Sequence, residues 1–155
     1  MSEKQVKKVV IIGIDAPIHE EVYKHAMNGD LPNIKNLIET GVYAKHCLDT
    51  FPSITPPNWT TIVTGSTQGT HGITCFSVFN PGDELDENHF ALWRKDCKSE
   101  YIWEAIEKDG KKSIVFNYPA ANWPPKFKGI QVAGGGLGIN VWHLGKDFEH
   151  AFVSL

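Results

Sequence analysis

Residues 9–17 read VVIIGIDAP, a run of mostly β-branched residues that ends in an aspartate, an alanine and a proline. Because the apolar residues are continuous rather than alternating, the run predicts a strand covered on both faces, as in a parallel sheet. Ligands of open α/β sheets bind outside the carboxyl ends of the strands. Asp15 is therefore a candidate metal ligand, although an aspartate there can equally start a turn or cap the next helix.

Predicted helices and strands alternate along the chain of 155 residues. Apolar residues at helical spacing, closed by Gly, Asn-Gly or Asp-Gly, predict the helices, and short apolar runs predict the strands. This alternation of strands and helices indicates an α/β fold with a mostly parallel sheet and helices on both faces. The predicted helices are 18–27, 32–40, 58–64 and 101–108, and the further strands are 42–48, 113–117 and 130–133.

Thr55 lies in the segment FPSITPPNWTTIVTG, residues 51–65, directly before two prolines and a predicted helix. A hydroxyl at a helix N-terminus lies where the dipole and backbone N–H groups favour negative charge. That placement can stabilise an alkoxide nucleophile and the oxygens of a phosphoryl group in transit. Thr55 is thus a candidate nucleophile, with an ordinary N-cap as the alternative.

Several other residues invite a functional interpretation and leave it open. His71, in a glycine-rich turn, can bind a metal or hydrogen-bond backbone groups. The glycine-rich loop Gly134–Gly138 lacks the ending of a P-loop and does not follow the first strand, so a mobile loop is the simpler interpretation. Two further Asp and His pairs have i, i+3 spacing and would face one metal only if helical; they are Asp86 with His89 and Asp147 with His150.

Charge and cysteine content exclude some classes of protein. A net charge of −3 gives no basic surface for nucleic acid, so an anionic substrate would need a local device such as a metal. The apolar run at residues 9–14 is too short to cross a membrane. Three widely spaced cysteines without a zinc-binding pattern fit a reducing compartment, and we expect a cytoplasmic protein. The oligomeric state is not determined by the sequence.

Three stretches in order, VVIIGIDAP, LPNIKNLIETGVYA and PSITPPNWTTIVTGSTQGTHGI, resemble the opening of a type I phosphodiesterase/nucleotide pyrophosphatase of the alkaline phosphatase superfamily. The later stretch IWEAIEKDGKKSIVFNYPAANWPP, with GIQVAGG, is similar to that family's next helix and strand. The resemblance extends to about residue 138. It implies an alkaline-phosphatase-like sheet, and residues 1–155 are then the N-terminal portion of one catalytic domain.

The resemblance also implies a chemistry. Asp15 matches the family's first metal-binding aspartate, and Thr55 matches a nucleophile that also contacts a metal. Two divalent ions, usually zinc but with manganese or magnesium accepted by the same oxygens, would activate the hydroxyl and clamp the attacking and leaving oxygens. A phospho-threonine intermediate would follow. The substrate would be a small phosphodiester or nucleotide-like molecule.

The chain departs from the family pattern in three ways. Ala16 occupies the position at which a glycine commonly follows the family's first aspartate. Phe76 lies near the position at which many nucleotide pyrophosphatases carry an asparagine that helps to bind phosphate. The family's remaining ligands are an Asp-x-x-x-His pair, an Asp-His pair and a later His, and no such Asp-x-x-x-His or Asp-His string occurs beyond Thr55. Because each metal needs about four donors, we expect this chain to be a fragment with little or no activity.

Three other functions remain open at this stage. One is a nucleotide-binding regulatory domain that uses the Gly134–Gly138 loop. A phosphonoacetate hydrolase uses the same metal chemistry, and its distinguishing contacts need not lie in this segment. A non-catalytic binding domain could keep the scaffold without the second half of the site. A sulfatase is disfavoured because its modified Cys or Ser motif is missing, and a phosphoglycerate mutase because it normally uses serine.

Overall fold

The computed structural model describes residues 8–79, 81–84, 86–87, 89–91, 93–121, 126–132 and 153–154. The chain divides into two compact units, Met1–Cys47 and Leu48–Leu155. Helices α1 (His19–Asn28) and α2 (Pro32–Thr40) pack together in the first unit. Gly29 ends α1 with a φ of 95°, a left-handed conformation that glycine adopts without a Cβ clash, and its N–H donates to the carbonyl of Ala26.

The prediction of strands at residues 9–14 and 42–48 was wrong for the described structure. Neither segment forms strand hydrogen bonds there, and both are exposed. Val10 and Ile12 are 79% and 82% exposed. A β-branched run favours extended backbone, but a strand exists only where a neighbouring strand pairs with it and a core covers it. Within the described part of the first unit no strand offers that pairing.

The second unit contains the remaining elements. Its helices are α3 (Thr55–Thr64), α4 (Gln68–His71) and α5 (Ile102–Lys108), with a short 3₁₀ turn at Arg94–Asp96. An antiparallel pair joins β1 (Ser77–Val78) to β2 (His89–Phe90). A three-stranded sheet has the order β3 (Ile114–Phe116), β4 (Ile130–Val132), β5 (Val153–Ser154).

The sheet confirms the α/β class. Strands β3 and β4 are parallel, with Ile114 opposite Ile130, and β5 joins β4 antiparallel. Only one face of β3 is covered, since Val115 is buried whereas Ile114 and Phe116 are 73% and 70% exposed. A strand covered on both faces was expected at 113–117. The strand itself was predicted correctly, but among the described residues nothing covers its second face.

Aromatic side chains form much of the core of the second unit. The ring of Trp103 packs edge-on against Tyr101 and Tyr118, with centroids 4.9 and 5.4 Å away. Trp59 of α3 packs edge-on against Tyr118, whose hydroxyl donates to the carbonyl of Trp59 at 2.9 Å. Such pairs add to the burial of apolar area and fix ring orientation. They attach α3 to the segment that follows β3, which holds the helix in a defined position.

A buried ion pair lies beside this core. Arg94 donates from Nε and Nη2 to the carboxylate of Glu104, the second bond measuring 2.6 Å. Nη1 of Arg94 donates to the carbonyl of Cys97 at 2.9 Å, and the guanidinium lies 4.3 Å from the centroid of the Tyr101 ring. Glu104 also accepts from the backbone N–H of Tyr101 at 3.1 Å, which caps α5. Both side chains are 10% exposed or less, so each is the counter-ion of the other in the interior.

Candidate functional site

Thr55 is the first residue of α3. Ile54 before it has extended backbone, with φ −129° and ψ 162°, and Pro56 and Pro57 occupy the next two helical positions. The sequence had predicted the helix from residue 58, three residues too late. Proline has a helical φ and is tolerated in the first turn, where its missing N–H has no partner within the helix. The predicted placement of Thr55 at a helix N-terminus is confirmed, and its role as nucleophile stays a prediction.

The two prolines change what this helix N-terminus can offer an anion. The first turn of a helix normally presents several backbone N–H donors. Pro56 and Pro57 have none, and the N–H of Asn58 donates to the carbonyl of Ile54 at 3.3 Å. Within the first turn, Pro56 and Pro57 therefore reduce the number of backbone N–H groups that can accompany the dipole and the Thr55 hydroxyl. A phosphoryl group bound here would need additional cationic or metal contacts.

Helix α3 is rigidly packed behind Thr55. Pro56, Pro57 and Thr60 are buried, and the hydroxyl of Thr60 donates to the carbonyl of Pro56 at 2.7 Å. Thr55 itself is half-buried. A helix end whose following turn is packed in the core cannot fray at little cost, so the position of Thr55 is set by the fold of the second unit.

The loop that leads to Thr55 is tied to the second unit by side chains that the sequence reasoning missed. Asn58 accepts two hydrogen bonds from Thr50 and donates one to Ile54, and Gln68 donates to the carbonyl of Phe51 at 2.9 Å. The signal that could have revealed Asn58 is its type and position. A short amide in the first helical turn competes for nearby backbone groups rather than pointing to solvent.

Asp15 is an exposed residue in a bend before α1. The expected strand end is not formed there, and Ala16 has a positive φ of 46°. This left-handed conformation costs an alanine roughly 1 kcal/mol and costs glycine little, which gives a physical reason for the glycine that commonly occupies this position in the family. Asp15 and Thr55 belong to different units, and their shared contact with a metal stays a prediction.

His71 is fully buried, and both of its ring nitrogens are engaged within the protein. Nδ1 accepts the backbone N–H of Ile73 at 3.0 Å, and Nε2 lies 3.1 Å from the hydroxyl of Thr61. The first bond requires an unprotonated Nδ1, so the neutral ring carries its proton on Nε2. This geometry supports the structural interpretation of His71, as a link between α3 and the turn after α4.

We expect His71 to make the protein less stable in mild acid. Burial lowers its pKa below the ordinary 6.5, so the unfolded chain takes up a proton that the folded chain resists. The free energy of unfolding should therefore fall as the pH drops below about 6.5 and stop falling once the lowered pKa of the folded state is passed. Urea unfolding from about pH 8 to about pH 5 measures this effect.

The variant that tests this assignment is His71→Asn, because the amide oxygen of asparagine can accept the hydrogen bond that Nδ1 accepts in the wild type. The pH dependence attributed to His71 should be absent from His71→Asn and retained in His46→Asn, where the histidine is exposed. An equally steep loss of stability in His71→Asn would contradict the assignment.

The other metal-site predictions gain no support from the described residues. Among these, no three His, Cys, Asp or Glu side chains form a group that could hold a metal ion. His89 lies in β2, so it lacks the helical spacing to Asp86 on which that pair depended. An Asp-x-x-x-His string does occur at Asp15 and His19, but it begins with the first aspartate itself and so supplies no later pair.

The predictions for Gly134–Gly138 and for Asp147 with His150 lie outside the described residues. Among the helices in the described ranges, none has the length and apolar character needed to span a bilayer. Cys47, Cys75 and Cys97 are free thiols. The cellular location stays a prediction.

Comparison with known proteins identifies the family. The sequence profile described as type I phosphodiesterase / nucleotide pyrophosphatase matches residues 9–151. An uncharacterized pyrophosphatase/phosphodiesterase of Schizosaccharomyces pombe is 31% identical over 119 residues, which cover 72% of this chain and 23% of that protein. The human ectonucleotide pyrophosphatase/phosphodiesterase family member 1 is 32% identical over 106 residues, 64% of this chain and 11% of the relative.

A mouse bis(5'-adenosyl)-triphosphatase is 33% identical over 103 residues, 61% of this chain and 22% of the relative. The matched part thus amounts to between 11% and 23% of these three relatives. No solved structure gives a significant match. Because the profile match extends over nearly the whole sequence, this chain belongs to the type I phosphodiesterase / nucleotide pyrophosphatase family.

Proposed function

We propose that residues 1–155 are the N-terminal portion of a metal-dependent hydrolase that cleaves phosphodiester or nucleotide pyrophosphate bonds, with Thr55 as its nucleophile. Family membership supports the reaction class. The observation that carries the assignment of Thr55 is its place as the first residue of α3, on a helix whose next turn is buried. The small share of its relatives that the chain covers supports the view that further site residues lie elsewhere in the complete protein.

In this proposal the hydroxyl oxygen of Thr55 attacks phosphorus, and the bond from phosphorus to the leaving oxygen breaks. The product of this step is a phospho-threonine whose phosphorus still carries the second group of the substrate, and the leaving oxygen takes up the proton lost by the hydroxyl. Water then attacks phosphorus, which releases the phosphate monoester and restores the Thr55 hydroxyl. The helix dipole stabilises the negative charge that develops at the reacting oxygens. A divalent metal, when bound, would lower the pKa of the hydroxyl and neutralise the transferring group.

The residues of this chain fit such a metal in kind but not in number. Asp15 and Thr55 offer oxygen donors that zinc, manganese and magnesium all accept. A zinc ion needs about four donors, and the described residues contain no group of three His, Cys, Asp or Glu that could supply them. We therefore propose that Asp15 contributes one ligand to a site that the rest of the complete protein fills, and that the chain 1–155 is inactive by itself.

Hydrolysis of bis-p-nitrophenyl phosphate tests this function. The complete gene product with added zinc or manganese should release nitrophenol, lose activity on chelation of the metal, and regain it when metal is restored. The chain 1–155 should release little or none under the same conditions. No hydrolysis by the complete protein, or turnover by the complete protein that chelation leaves unchanged, would contradict the proposal.

The phenylalanine at position 76 is the reason to test a second class of substrate. Its side chain is 40% exposed and has no amide with which to bind a phosphate oxygen. A phosphonate hydrolase acting on phosphonoacetate uses the same metal chemistry, and its distinguishing contacts need not lie in this segment. Comparing phosphonoacetate with the diester as substrates of the complete protein separates the two functions. A phosphodiesterase should hydrolyse the diester much faster, and a phosphonate hydrolase should hydrolyse phosphonoacetate much faster. A non-catalytic binding domain should turn over neither.

A further inference from the structure

The side chain of Asn58 connects both ends of the short loop that leads to Thr55. Its Oδ1 accepts the backbone N–H of Thr50 at 3.0 Å and the hydroxyl of Thr50 at 2.8 Å. Its Nδ2 donates to the carbonyl of Ile54 at 2.9 Å. One amide thus fixes the residue that starts the loop and the residue that ends it.

The carbonyl of Ile54 belongs to the same peptide unit as the nitrogen of Thr55. Because that unit is planar, holding the carbonyl oxygen sets the plane in which the Thr55 N–H lies and limits the direction of its side chain. The backbone N–H of Asn58 donates to the same oxygen at 3.3 Å, so Asn58 holds this peptide unit twice. The orientation of the Thr55 hydroxyl depends on this peptide unit.

Because of the two prolines, the usual N-cap hydrogen bonds cannot hold the first turn of α3. Helices commonly fix their first turn with a Ser, Thr, Asn or Asp at the N-cap, whose oxygen accepts an N–H from the second or third helical residue. Here the N-cap is Ile54, which has no polar side chain, and the second and third residues are Pro56 and Pro57, which have no N–H. Asn58 acts in the reverse direction, from inside the helix back to the loop.

We propose that Asn58 is a positioning residue for the reaction at Thr55: its amide holds the loop from Thr50 to Ile54 so that the hydroxyl is presented in one direction. This inference rests on the proposed function of Thr55. Asn58 need not contact the substrate. Its loss should lower the rate of the chemical step rather than the affinity for the substrate, because a displacement of about 1 Å in a reacting group can cost about a hundredfold in rate.

The test compares Asn58→Ala and Asn58→Asp in the complete gene product. Alanine removes all three side-chain hydrogen bonds and should lower kcat for bis-p-nitrophenyl phosphate by about ten- to a hundredfold with little change in KM. Aspartate keeps the acceptor for Thr50, and its charge is favourable near a helix N-terminus, but it cannot donate to Ile54. It should retain the unfolding midpoint and still lose kcat, an effect that a merely structural role would not produce.

A second readout does not depend on activity. The amide hydrogen of Thr50 should exchange with solvent faster in Asn58→Ala than in the wild type and should stay protected in Asn58→Asp. The matched control is Asn36→Ala, an exposed asparagine of α2, which should change neither kcat nor the exchange of Thr50.

The outcomes distinguish this inference from the function on which it rests. Wild-type kcat in either Asn58 variant, or unchanged exchange at Thr50 in Asn58→Ala, would overturn the role of Asn58 while leaving Thr55 as the nucleophile. Absence of hydrolysis by the wild-type protein would overturn the proposed function and the role of Asn58 with it. If Asn58→Ala does not fold, Asn58→Asp alone decides through its kcat.

Discussion

Thr55→Ala should abolish hydrolysis of bis-p-nitrophenyl phosphate by the complete protein, with kcat lowered roughly a thousandfold or more. Alanine removes the oxygen that forms the bond to phosphorus, and no neighbouring group in the first turn can replace it, since Pro56 and Pro57 follow. The loss should appear in kcat and in kcat/KM alike. Steady-state kinetics of wild type and variant measure it.

Two variants make this result specific to the nucleophile. Thr55→Ser keeps a hydroxyl and should retain part of the activity, whereas Thr74→Ala removes an exposed threonine outside the helices and should leave kcat unchanged. Rapid acid quenching during turnover should trap a p-nitrophenyl phosphoryl group on Thr55, visible by mass spectrometry of the peptide that contains it. Near-normal turnover by Thr55→Ala would exclude Thr55 as the nucleophile.

Glu104→Ala should produce the largest loss of stability expected from a single substitution in the second unit. It removes the acceptor for two hydrogen bonds of Arg94 and for the N–H of Tyr101, and leaves a buried guanidinium unpaired. Breaking a buried ion pair from one side costs about 3–5 kcal/mol, which is comparable to the whole stability of a marginal domain. Urea unfolding followed by tryptophan fluorescence measures the change, since Trp103 lies in the same helix.

The control for Glu104→Ala is Glu100→Ala, which breaks the exposed pair with Lys108 nearby. Solvent screens that pair, so its loss should have a far smaller effect on unfolding. Replacing both buried partners, Arg94→Met with Glu104→Leu, should be less destabilising than Glu104→Ala because no charge is left without its counter-ion. Equal losses for Glu104→Ala and Glu100→Ala would contradict the importance of burial.

The sequence alone determined the family and most of the helices, although α4 lies in a segment predicted as a glycine-rich turn and α3 begins three residues before its predicted start. Helices α1 and α2 begin and end within one or two residues of their predicted bounds, because Gly29 and Gly41 end them through local backbone chemistry. The order of the matched stretches predicted the type I phosphodiesterase / nucleotide pyrophosphatase family, which the profile match over 9–151 confirms. Local signals of this kind do not depend on distant parts of the chain.

Only the tertiary structure decided which apolar runs become strands and how Thr55 is held. Residues 9–14 and 113–117 are similar β-branched runs, yet only the second pairs with a neighbour, because a strand needs hydrogen bonds from a segment far along the chain. The contacts of Asn58 with Thr50 and of Trp59 with Tyr118 depend in the same way on folding, which brings separated residues together. Composition and spacing carry the chemistry of a residue, whereas the partners that fix its orientation are set by the packed chain.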